Sequence, residues 1–368
     1  MYRFSAGIVG SGFMGTTHLE ALRRLGVRVA GIACSTAEKA ETEAAALGLP
    51  KAYESVDSLI ADNSVDTVHI CVPNHLHFDM VKKALEAGKH VMCEKPLALN
   101  SAETETLVSI ARQSGVAAAV CYNLRYYPMN FQARALASGG ALGRLFHING
   151  CYIQDWLQHQ NDFNWRVDSA KGGPLRVVAD IGTHWMDMVQ LITGRKIQEV
   201  FADLGTVHPT RRNPQTDSDV TVDTEDCANI LFRMDDGLMG SFFVSQVASG
   251  RKNTIRYEIS GEDGAVAWNS ETPDELWVGH RDKPNQNLVK DPALLSPAAA
   301  RHASYPGGHA EGYPDTFKHC FRDFYDYINA GDMSALPPFP TFSDGHRELQ
   351  LCESILSSHQ KRSWVEVG

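Results

Sequence analysis

The chain has 368 residues, of which 43% are hydrophobic, and a chain this long usually forms more than one hydrophobic core, so we expect two domains. It carries 34 basic and 44 acidic residues, and the net charge of -10 has the wrong sign for binding nucleic acid or an anionic membrane. We therefore expect neither of them as a partner.

The cysteines are spread along the chain without a Cys-x-x-Cys pair, which predicts buried, reduced thiols. The N-terminus passes at once into a glycine-rich turn, which leaves no room for a signal peptide. No apolar run reaches the roughly 18 residues that a membrane-spanning helix requires. The expected location is cytoplasmic.

Strand-like and helix-like segments alternate up to residue 122. The strand-like, β-branched runs cover 4–9, 27–33, 65–72, 90–93 and 116–121, and amphipathic stretches cover 15–25, 38–47, the residues up to 87, and 102–114. Such alternation implies crossover connections and a parallel sheet covered by helices on both faces. We predict a doubly wound α/β domain of the Rossmann type over residues 1–122.

From residue 123 the chain becomes richer in strands. After a helix at 131–138, the predicted strands cover 145–153, 197–206, 229–232, 239–247, 256–260, 265–268 and 275–278. Short turns such as Asp236-Gly237 favour antiparallel pairing. The polar segments 209–224 and 281–312 are predicted to be surface loops. We expect residues 123–368 to form an α+β domain with an open, mainly antiparallel sheet.

A glycine motif follows the first predicted strand and opens a helix. In this motif Gly10 permits a tight turn, Gly12 lets the backbone approach a pyrophosphate, and Gly15 lets the helix pack on the strand, while the helix N-terminus faces the anion. The placement predicts a dinucleotide site, to which Phe13 and Met14 also belong.

The end of the second strand is where an NAD-binding site normally has a carboxylate for the ribose hydroxyls. Here the chain reads Cys34-Ser35-Thr36, and Lys39 follows one turn into the next helix. Hydroxyls, a helix N-terminus and a lysine could hold a 2'-phosphate, so NADP is weakly favoured over NAD. The alternative, in which Lys39 is only a solvated surface charge, stays open.

Two further motifs follow later strands of the first domain. Pro73, Asn74 and His77 come after the strand ending near residue 72, at the sheet edge where ligands bind in this architecture. Glu94-Lys95-Pro96 comes after the next strand, and a lysine fixed between a carboxylate and a proline can be aimed at a ligand. We predict that Lys95 is catalytic.

The second domain contributes an aspartate and a histidine four residues apart. Asp180 and His184 open a helix and can share one of its faces. Oxidation of an alcohol requires a group that takes the hydroxyl proton, and a histidine suits that role at neutral pH. The pair taken alone favours a capping aspartate and a structural histidine, and together with the other motifs it indicates a functional site.

With these motifs the sequence resembles the Gfo/Idh/MocA oxidoreductases. The resemblance rests on the glycine motif, Pro73-Asn74 with His77, Glu94-Lys95-Pro96, the segment from Asn123 to Pro128, and Asp180-x-Gly182-x-His184. It implies that Lys95 is the catalytic lysine, His184 the acid/base or substrate-orienting histidine, and Asp180 a substrate-binding carboxylate. It also places Glu94, Arg125, Trp165 and Arg166 near the cofactor. Members act mostly on sugars and inositols, and many are dimers or tetramers built through the open sheet.

Polar and aromatic residues of the second domain are candidates for binding the substrate. They are Tyr152, Gln154, Asp155, Trp156 and His309, together with Lys95, Asp180 and His184. Aromatic faces beside carboxylates, amides and imidazoles suit a hexose, a glycoside or an inositol. Tryptophans that only fill the core are the alternative. The scattered histidines show no ligand spacing, so we predict no metal.

Three classes of function fit these motifs. The first is an NAD(P)-dependent sugar or polyol dehydrogenase, expected as a homodimer or homotetramer. The second is a glycosidase that oxidises its sugar transiently and keeps a tightly bound, recycled cofactor. The third is an inactive cofactor-binding regulator, against which the intact Lys95, Asp180 and His184 argue.

Overall fold

The computed structural model describes residues 2–368, and the chain divides into two compact units. The first unit comprises the chain up to Asn123 together with Pro314–Leu349, and the second comprises Leu124–Tyr313 together with Gln350–Gly368. The sequence predicts one domain over 123–368, whereas Pro314–Leu349 groups with the first unit.

The first unit is built on a six-stranded parallel sheet, in the order β3-β2-β1-β4-β5-β6. Its strands are β1 Ser5–Val9, β2 Arg28–Ala33, β3 Ala52–Tyr53, β4 Thr67–Ile70, β5 His90–Cys93 and β6 Ala118–Val120. All residues of β1 and β4 are buried, as expected for a parallel sheet covered on both faces. The strand order reverses beside β1, and ligands bind at such a switch point in open α/β sheets. The predicted Rossmann architecture is confirmed.

Helices with clear end signals connect these strands. They are α1 Phe13–Leu25, α2 Ala37–Leu47, α3 Val56–Ile60, α4 His77–Glu86 and α5 Ser101–Ser114. The side chain of Asn100 caps α5 by accepting a hydrogen bond from the backbone N–H of Glu103. Gly26 ends α1 in the left-handed conformation, with φ of 72°.

The second unit contains a nine-stranded sheet, in the order β16-β15-β14-β13-β7-β12-β11-β8-β17, and a separate hairpin of β9 and β10. Its strands are β7 Leu145–Ile153, β8 Ile197–Gly205, β9 Thr210–Asn213, β10 Ser218–Thr221, β11 Cys227–Met234, β12 Met239–Ser245, β13 Thr254–Gly261, β14 Ala265–Asn269, β15 Glu275–Gly279, β16 Gln286–Val289 and β17 Val365–Glu366. Neighbours pair antiparallel except β7 with β12, which are parallel. The open, mainly antiparallel sheet is therefore confirmed.

Burial alternates along these strands, so one face of the sheet carries the core of the second unit. In β11, for example, Ala228, Ile230 and Phe232 are buried while Leu231 is 47% exposed. The buried face packs against helices, and Trp185 stacks on Phe242 with ring centroids 4.5 Å apart. The helices of this part of the chain are α6 Pro128–Ser138, α7 Ser169–Gly172, α8 Thr183–Thr193 and α9 Pro297–Ala300.

Two predicted loops contain regular structure. The segment 209–224 forms the β9–β10 hairpin, and 281–312 contains β16 and α9. Both strands of the hairpin are largely polar, so they lack the apolar alternation by which strands are recognised in a sequence. The hairpin also buries Arg211 completely, which composition gave no reason to expect.

Two long helices, α10 Tyr313–Ala330 and α11 Phe342–Lys361, complete the chain. Phe321 of α10 packs edge-on against His18 and His69, with ring centroids 4.7 and 4.9 Å away, and these contacts explain why this segment belongs to the first unit. Thr341, just before α11, forms an antiparallel bridge to Ala119 of β6. None of the helices within 2–368 is long and apolar enough to span a membrane.

Candidate active site

The three glycines at the junction of β1 and α1 have different surroundings. Gly10 has φ of 101°, and a Cβ there would lie 2.3 Å from the carbonyl oxygen of Cys71. A Cβ at Gly15 would lie 2.1 Å from the carbonyl oxygen of Gly10. A Cβ at Gly12 would meet nothing within 4 Å. Gly10 and Gly15 are thus required by the fold, whereas the space beside Gly12 is open.

The N-terminus of α1 is suited to an anion. Gly12 is the N-cap residue and provides no side-chain hydrogen bond to the first turn, which also contains no acidic residue. The positive end of the helix dipole therefore faces the open space beside Gly12. Phe13 is 70% exposed and Met14 is half-buried next to it. The chain fits a pyrophosphate at this loop.

The end of β2 has no carboxylate, as the sequence indicated. Ser35 and the Lys39 side chain are exposed. The Thr36 hydroxyl caps α2 by accepting a hydrogen bond from the backbone N–H of Lys39, at 3.1 Å. The Thr36 oxygen therefore already has a structural partner, and the other exposed polar side chains of this turn are Ser35, the acidic Glu38 and Lys39.

His77 connects two loops that follow neighbouring strands. Its Nδ1 lies 2.7 Å from the carbonyl oxygen of Pro96, and its Nε2 lies 2.8 Å from that of Val72. Pro73 is half-buried and Asn74 is 7% exposed. The buried imidazole thus fixes the loop after β4 against the loop that contains Lys95.

Glu94 is buried beneath Lys95. One of its carboxylate oxygens lies 2.9 Å from Nε2 of His18, whose Nδ1 lies 3.0 Å from Nδ1 of His69. Burial opposes ionisation of Glu94, but the hydrogen bond and charge of His18 and the charge of Lys95 hold its pKa below the ordinary value. Lys95 itself is half-buried. The lysine therefore follows a residue that a buried hydrogen-bond network fixes in place.

The same network contains one group of residues with the chemistry of metal ligands. Ligand atoms of His18, Glu94 and Cys121 lie within 4.8 Å of one another, and no other such group occurs in the part of the chain that the structure describes. His18 and Glu94 already bond to each other, so a hydrogen-bond network accounts for the arrangement. The absence of a resident metal stays a prediction.

Asp180 lies in a π-helical turn, Val178–Gly182, that leads directly into α8. Gln246 Nε2 donates a hydrogen bond to one carboxylate oxygen at 2.8 Å, and Arg166 Nε lies 3.2 Å from the other. Arg166 also lies over the ring of Trp165, 4.4 Å from its centroid. Isolated π turns are rare and often occur at functional sites. Both Asp180 oxygens are therefore oriented by specific donors.

His184 lies one turn further along and is 6% exposed. The ring of Tyr152 is next to it, with centroids 6.4 Å apart. The Tyr152 hydroxyl donates to Oδ1 of Asn253 at 2.8 Å. Burial and the charge of Asp180 raise the pKa of Tyr152, so the phenol is neutral. The second unit thus brings Asp180, His184 and Tyr152 into one cluster.

Two of the other candidate substrate residues extend this cluster. Gln154 Nε2 donates to Asn253 Oδ1 at 2.7 Å, and Trp156 Nε1 donates to Gln154 Oε1 at 2.7 Å. Trp156 is 37% exposed, so it is not a core tryptophan. A hydrogen-bonded row therefore runs from the Tyr152 hydroxyl through the two amides of Asn253 and Gln154 to the exposed indole of Trp156.

Two other candidates have partners elsewhere. The Asp155 carboxylate lies 2.7 Å from the exposed Lys252 ammonium, and this hydrogen bond lowers the pKa of Asp155. His309 is exposed, and its Nδ1 lies 3.3 Å from the Gly307 carbonyl oxygen. The hydrogen bonds of Asp155 and His309 do not join them to the Asp180 cluster.

Arg125 is held by the helix that carries His184. Its guanidinium pairs with both carboxylate oxygens of Asp187, with Nε donating at 2.9 Å, and both side chains are buried. A bidentate pair of this kind fixes orientation as well as charge. Arg125 therefore ties α8 to the segment before α6.

Sequence reasoning did not find Gln246, Asn253 or His18. Gln246 and Asn253 lie at the two ends of the loop that connects β12 with β13. The pairing of both strands with β7 brings these residues to the site. His18 lies within α1, where a lone histidine at a buried helical position has no distinguishing pattern. The one available signal for His18 is its position eight residues after Gly10, on a helix that begins at the sheet edge where Glu94 also lies.

Comparison with known proteins gives full-length matches. Residues 4–122 match the family described as "Oxidoreductase family, NAD-binding Rossmann fold", and residues 131–267 match the GFO/IDH/MocA C-terminal domain. Levoglucosan dehydrogenase of Pseudarthrobacter phenanthrenivorans is 29% identical over 398 aligned positions, covering 100% of the chain and 99% of that protein. A solved levoglucosan dehydrogenase in complex with NADH and L-sorbose has a TM-score of 0.92 at 30% identity, over 100% of both chains. An oxidoreductase domain protein from Kribbella flavida has a TM-score of 0.92 at 29% identity, also over 100% of both chains.

Proposed function

The chain belongs to the Gfo/Idh/MocA family of NAD-binding oxidoreductases, and from this premise we propose that it oxidises a hydroxyl-bearing carbon of a sugar, a glycoside or a polyol. The observation that carries the proposal is the cluster of Asp180, His184 and Tyr152 with the Gln154–Trp156 row beside it. Fixed carboxylate, imidazole and amide groups next to an aromatic surface suit a polyhydroxylated ring. The relative with L-sorbose bound supports a sugar as the substrate class.

The cofactor is held by the first unit in this proposal. The uncapped N-terminus of α1 and the open space at Gly12 take the pyrophosphate. When bound, the nicotinamide supplies the hydride acceptor. Pro73, Asn74 and the loop fixed by His77 follow β4 at the switch point of the sheet, where we place the nicotinamide end.

NADP is accepted at least as well as NAD in this proposal. No carboxylate ends β2, so the strand end itself carries no negative charge against a 2'-phosphate, and the acidic side chain of this turn is Glu38 in α2. Ser35 and Lys39 are exposed at the N-terminal turn of α2 and can bind it. Since the Thr36 hydroxyl already caps α2, the discrimination depends on Ser35 and Lys39.

Lys95 and His184 act on the reacting hydroxyl in this proposal. As the hydride leaves the carbinol carbon, the hydroxyl proton must leave too, and the oxygen gains negative charge. The Lys95 side chain stabilises that charge, and the His184 imidazole accepts the proton. Asp180, oriented by Gln246 and Arg166, binds a neighbouring hydroxyl.

The second unit also mediates assembly into a homodimer or homotetramer in this proposal. The face of the nine-stranded sheet opposite its helices carries exposed apolar side chains, including Met239 at 55% and Leu231 at 47% exposure. A groove of about 720 Å³ lies on this face and is lined by Leu231, Phe243 and Trp277. Apolar surface of this kind is usually covered by a partner.

The test is a turnover assay on the purified protein with NAD or NADP and a panel of sugars, glycosides and polyols. We expect reduced nicotinamide to accumulate in equal amount with an oxidised sugar. Cleavage of a glycoside without net reduction would favour the oxidation-assisted glycosidase instead. The proposal would be refuted if the protein binds NAD or NADP but oxidises no member of the panel with either nucleotide.

A further inference from the structure

The helix that carries Asp180 and His184 begins without a cap of its own. The residues before it are Pro174, Leu175, Arg176 and Val177, and none offers a short side-chain acceptor for the first turn. Arg176 is 2% exposed and Val177 is fully buried, so water cannot reach the first backbone N–H groups. Buried N–H groups at a helix start require an acceptor from elsewhere in the chain.

Glu225 provides that acceptor from a distant segment. Its Oε1 accepts hydrogen bonds from the backbone N–H of Arg176 at 3.0 Å and of Val178 at 2.8 Å, and its Oε2 accepts from Arg176 N–H at 2.9 Å. Glu225 is 3% exposed. A negative charge at this position also complements the positive end of the helix dipole.

The residues around Glu225 keep it in place. The Arg176 guanidinium donates to the Glu225 backbone carbonyl oxygen at 2.9 Å and pairs with Asp226. Arg211 donates to the same Asp226 oxygen at 2.7 Å, and all three side chains of this ion cluster are fully buried. Removing one member of such a cluster would leave an uncompensated buried charge, which is strongly destabilising. The three side chains therefore hold one another, and the backbone at Glu225, in place.

The helix start in turn determines how the functional side chains are presented. The backbone N–H of Asp180 donates to the Arg176 carbonyl oxygen at 2.8 Å, in the turn that Glu225 caps. The next residues form the π turn Val178–Gly182, a conformation that does not persist without specific support. A shift of this turn would rotate Asp180 relative to His184 and away from Gln246.

We propose that Glu225 is a positioning residue, whose buried carboxyl group fixes the turn that presents Asp180 and His184. This inference rests on the function proposed above. Glu225 acts through the backbone of Arg176 and Val178, so its removal is expected to disturb turnover rather than nucleotide binding, which belongs to the other unit.

The test compares Glu225→Gln with the parent protein and with Glu262→Gln, a matched change at an exposed turn of the same unit. Glutamine keeps the shape of the side chain but replaces one acceptor oxygen with a donor, which opposes an N–H group. Hydrogen exchange followed by mass spectrometry is measured over 176–184 at about pH 8, and we expect at least roughly tenfold faster exchange there only in Glu225→Gln.

Turnover and nucleotide affinity are measured on the same three proteins. We expect Glu225→Gln to lower turnover by roughly tenfold or more, with the nucleotide dissociation constant within about twofold of the parent. Unchanged exchange over 176–184 would overturn the inference, and so would faster exchange with unchanged turnover. If the parent oxidises no sugar, the proposed function fails, while the exchange experiment still tests the cap.

A second variant covers the case in which Glu225→Gln does not fold. Glu225→Asp keeps the carboxylate but is one methylene group shorter, so its oxygens lie farther from the backbone N–H of Val178. We therefore expect an intermediate rise in the hydrogen-exchange rate over 176–182. Exchange equal to that of the parent in a folded Glu225→Asp protein, together with parental turnover, would overturn it.

Discussion

Replacement of Gly12 by valine separates nucleotide binding from folding. A Cβ at Gly12 meets no protein atom within 4 Å, and the residue has φ of -70° and ψ of -174°, which a β-branched residue adopts without strain. The valine side chain would fill the space that we assign to the pyrophosphate, at the uncapped start of α1. We expect Gly12→Val to fold normally and to lose the nucleotide.

The size of the effect follows from linkage. A ligand at 100 times its dissociation constant stabilises a folded protein by about 2.7 kcal/mol, and this stabilisation vanishes when binding is abolished. Without nucleotide, the variant should differ from the parent by about 1 kcal/mol or less, because valine is only a poorer N-cap residue than glycine.

The assay is thermal or urea unfolding with and without NAD and NADP, beside direct titration of each nucleotide. Gly15→Ala is the informative control, since its Cβ would lie 2.1 Å from the Gly10 carbonyl oxygen. That variant should lose about 1–3 kcal/mol even without nucleotide. A folded Gly12→Val protein that NAD or NADP still stabilises by the parental amount would show that the pyrophosphate does not bind beside Gly12.

Four further predictions concern the chemical step, substrate binding, cofactor choice and pH. Lys95→Ala and His184→Ala should each lower the turnover rate by roughly 100-fold or more, with nucleotide affinities equal to those of the parent. Single-turnover hydride transfer at the parental rate in Lys95→Ala would refute a catalytic role for Lys95. Asp180→Asn should mainly raise KM, as measured by steady-state kinetics, and a fall in kcat at constant KM would contradict its role in binding a hydroxyl. Lys39→Ala should weaken NADP binding more than NAD binding in parallel titrations, whereas an equal loss for both would remove Lys39 from the 2'-phosphate site. Burial raises the pKa of Glu225 to about 7, although the hydrogen bonds from the backbone N–H groups of Val178 and Arg176 act in the opposite direction. Between about pH 4.5 and 7, Glu225 is therefore protonated in the folded protein and ionised in the unfolded chain. The free energy of unfolding should therefore fall with rising pH in that window, by up to about 1.4 kcal/mol per pH unit relative to Glu225→Gln, and parallel pH profiles for the two proteins would contradict this.

Features encoded by adjacent residues could be predicted from the sequence. The glycine loop is recognisable because Gly10, Gly12 and Gly15 lie close together where a strand passes into a helix, and the structure requires a glycine at Gly10 and Gly15. The parallel sheet could be predicted because its strands are short, buried on both faces and separated by helical periods. These signals depend on local geometry, which a short window of sequence contains.

Features that depend on distant partners could not be predicted in the same way. Glu225 caps a turn that begins 49 residues earlier, and nothing around it in sequence indicates that Arg176 N–H needs an acceptor. Gln246 reaches Asp180 across 66 residues. The polar strand β16 was assigned to a loop because edge strands lack a buried face. In each case the missing information is a tertiary contact.

Transfer of a deuterium label tests whether hydride passes from a carbon of a sugar to the nicotinamide. A sugar or polyol that the protein oxidises is deuterated at the reacting carbon and incubated with the protein and oxidised nucleotide, and the reduced nicotinamide is analysed by NMR. We expect deuterium on the reduced nicotinamide in equal amount with the oxidised sugar, and loss of that transfer in His184→Ala. Deuterium that stays on the sugar product, or that appears in water, would contradict it.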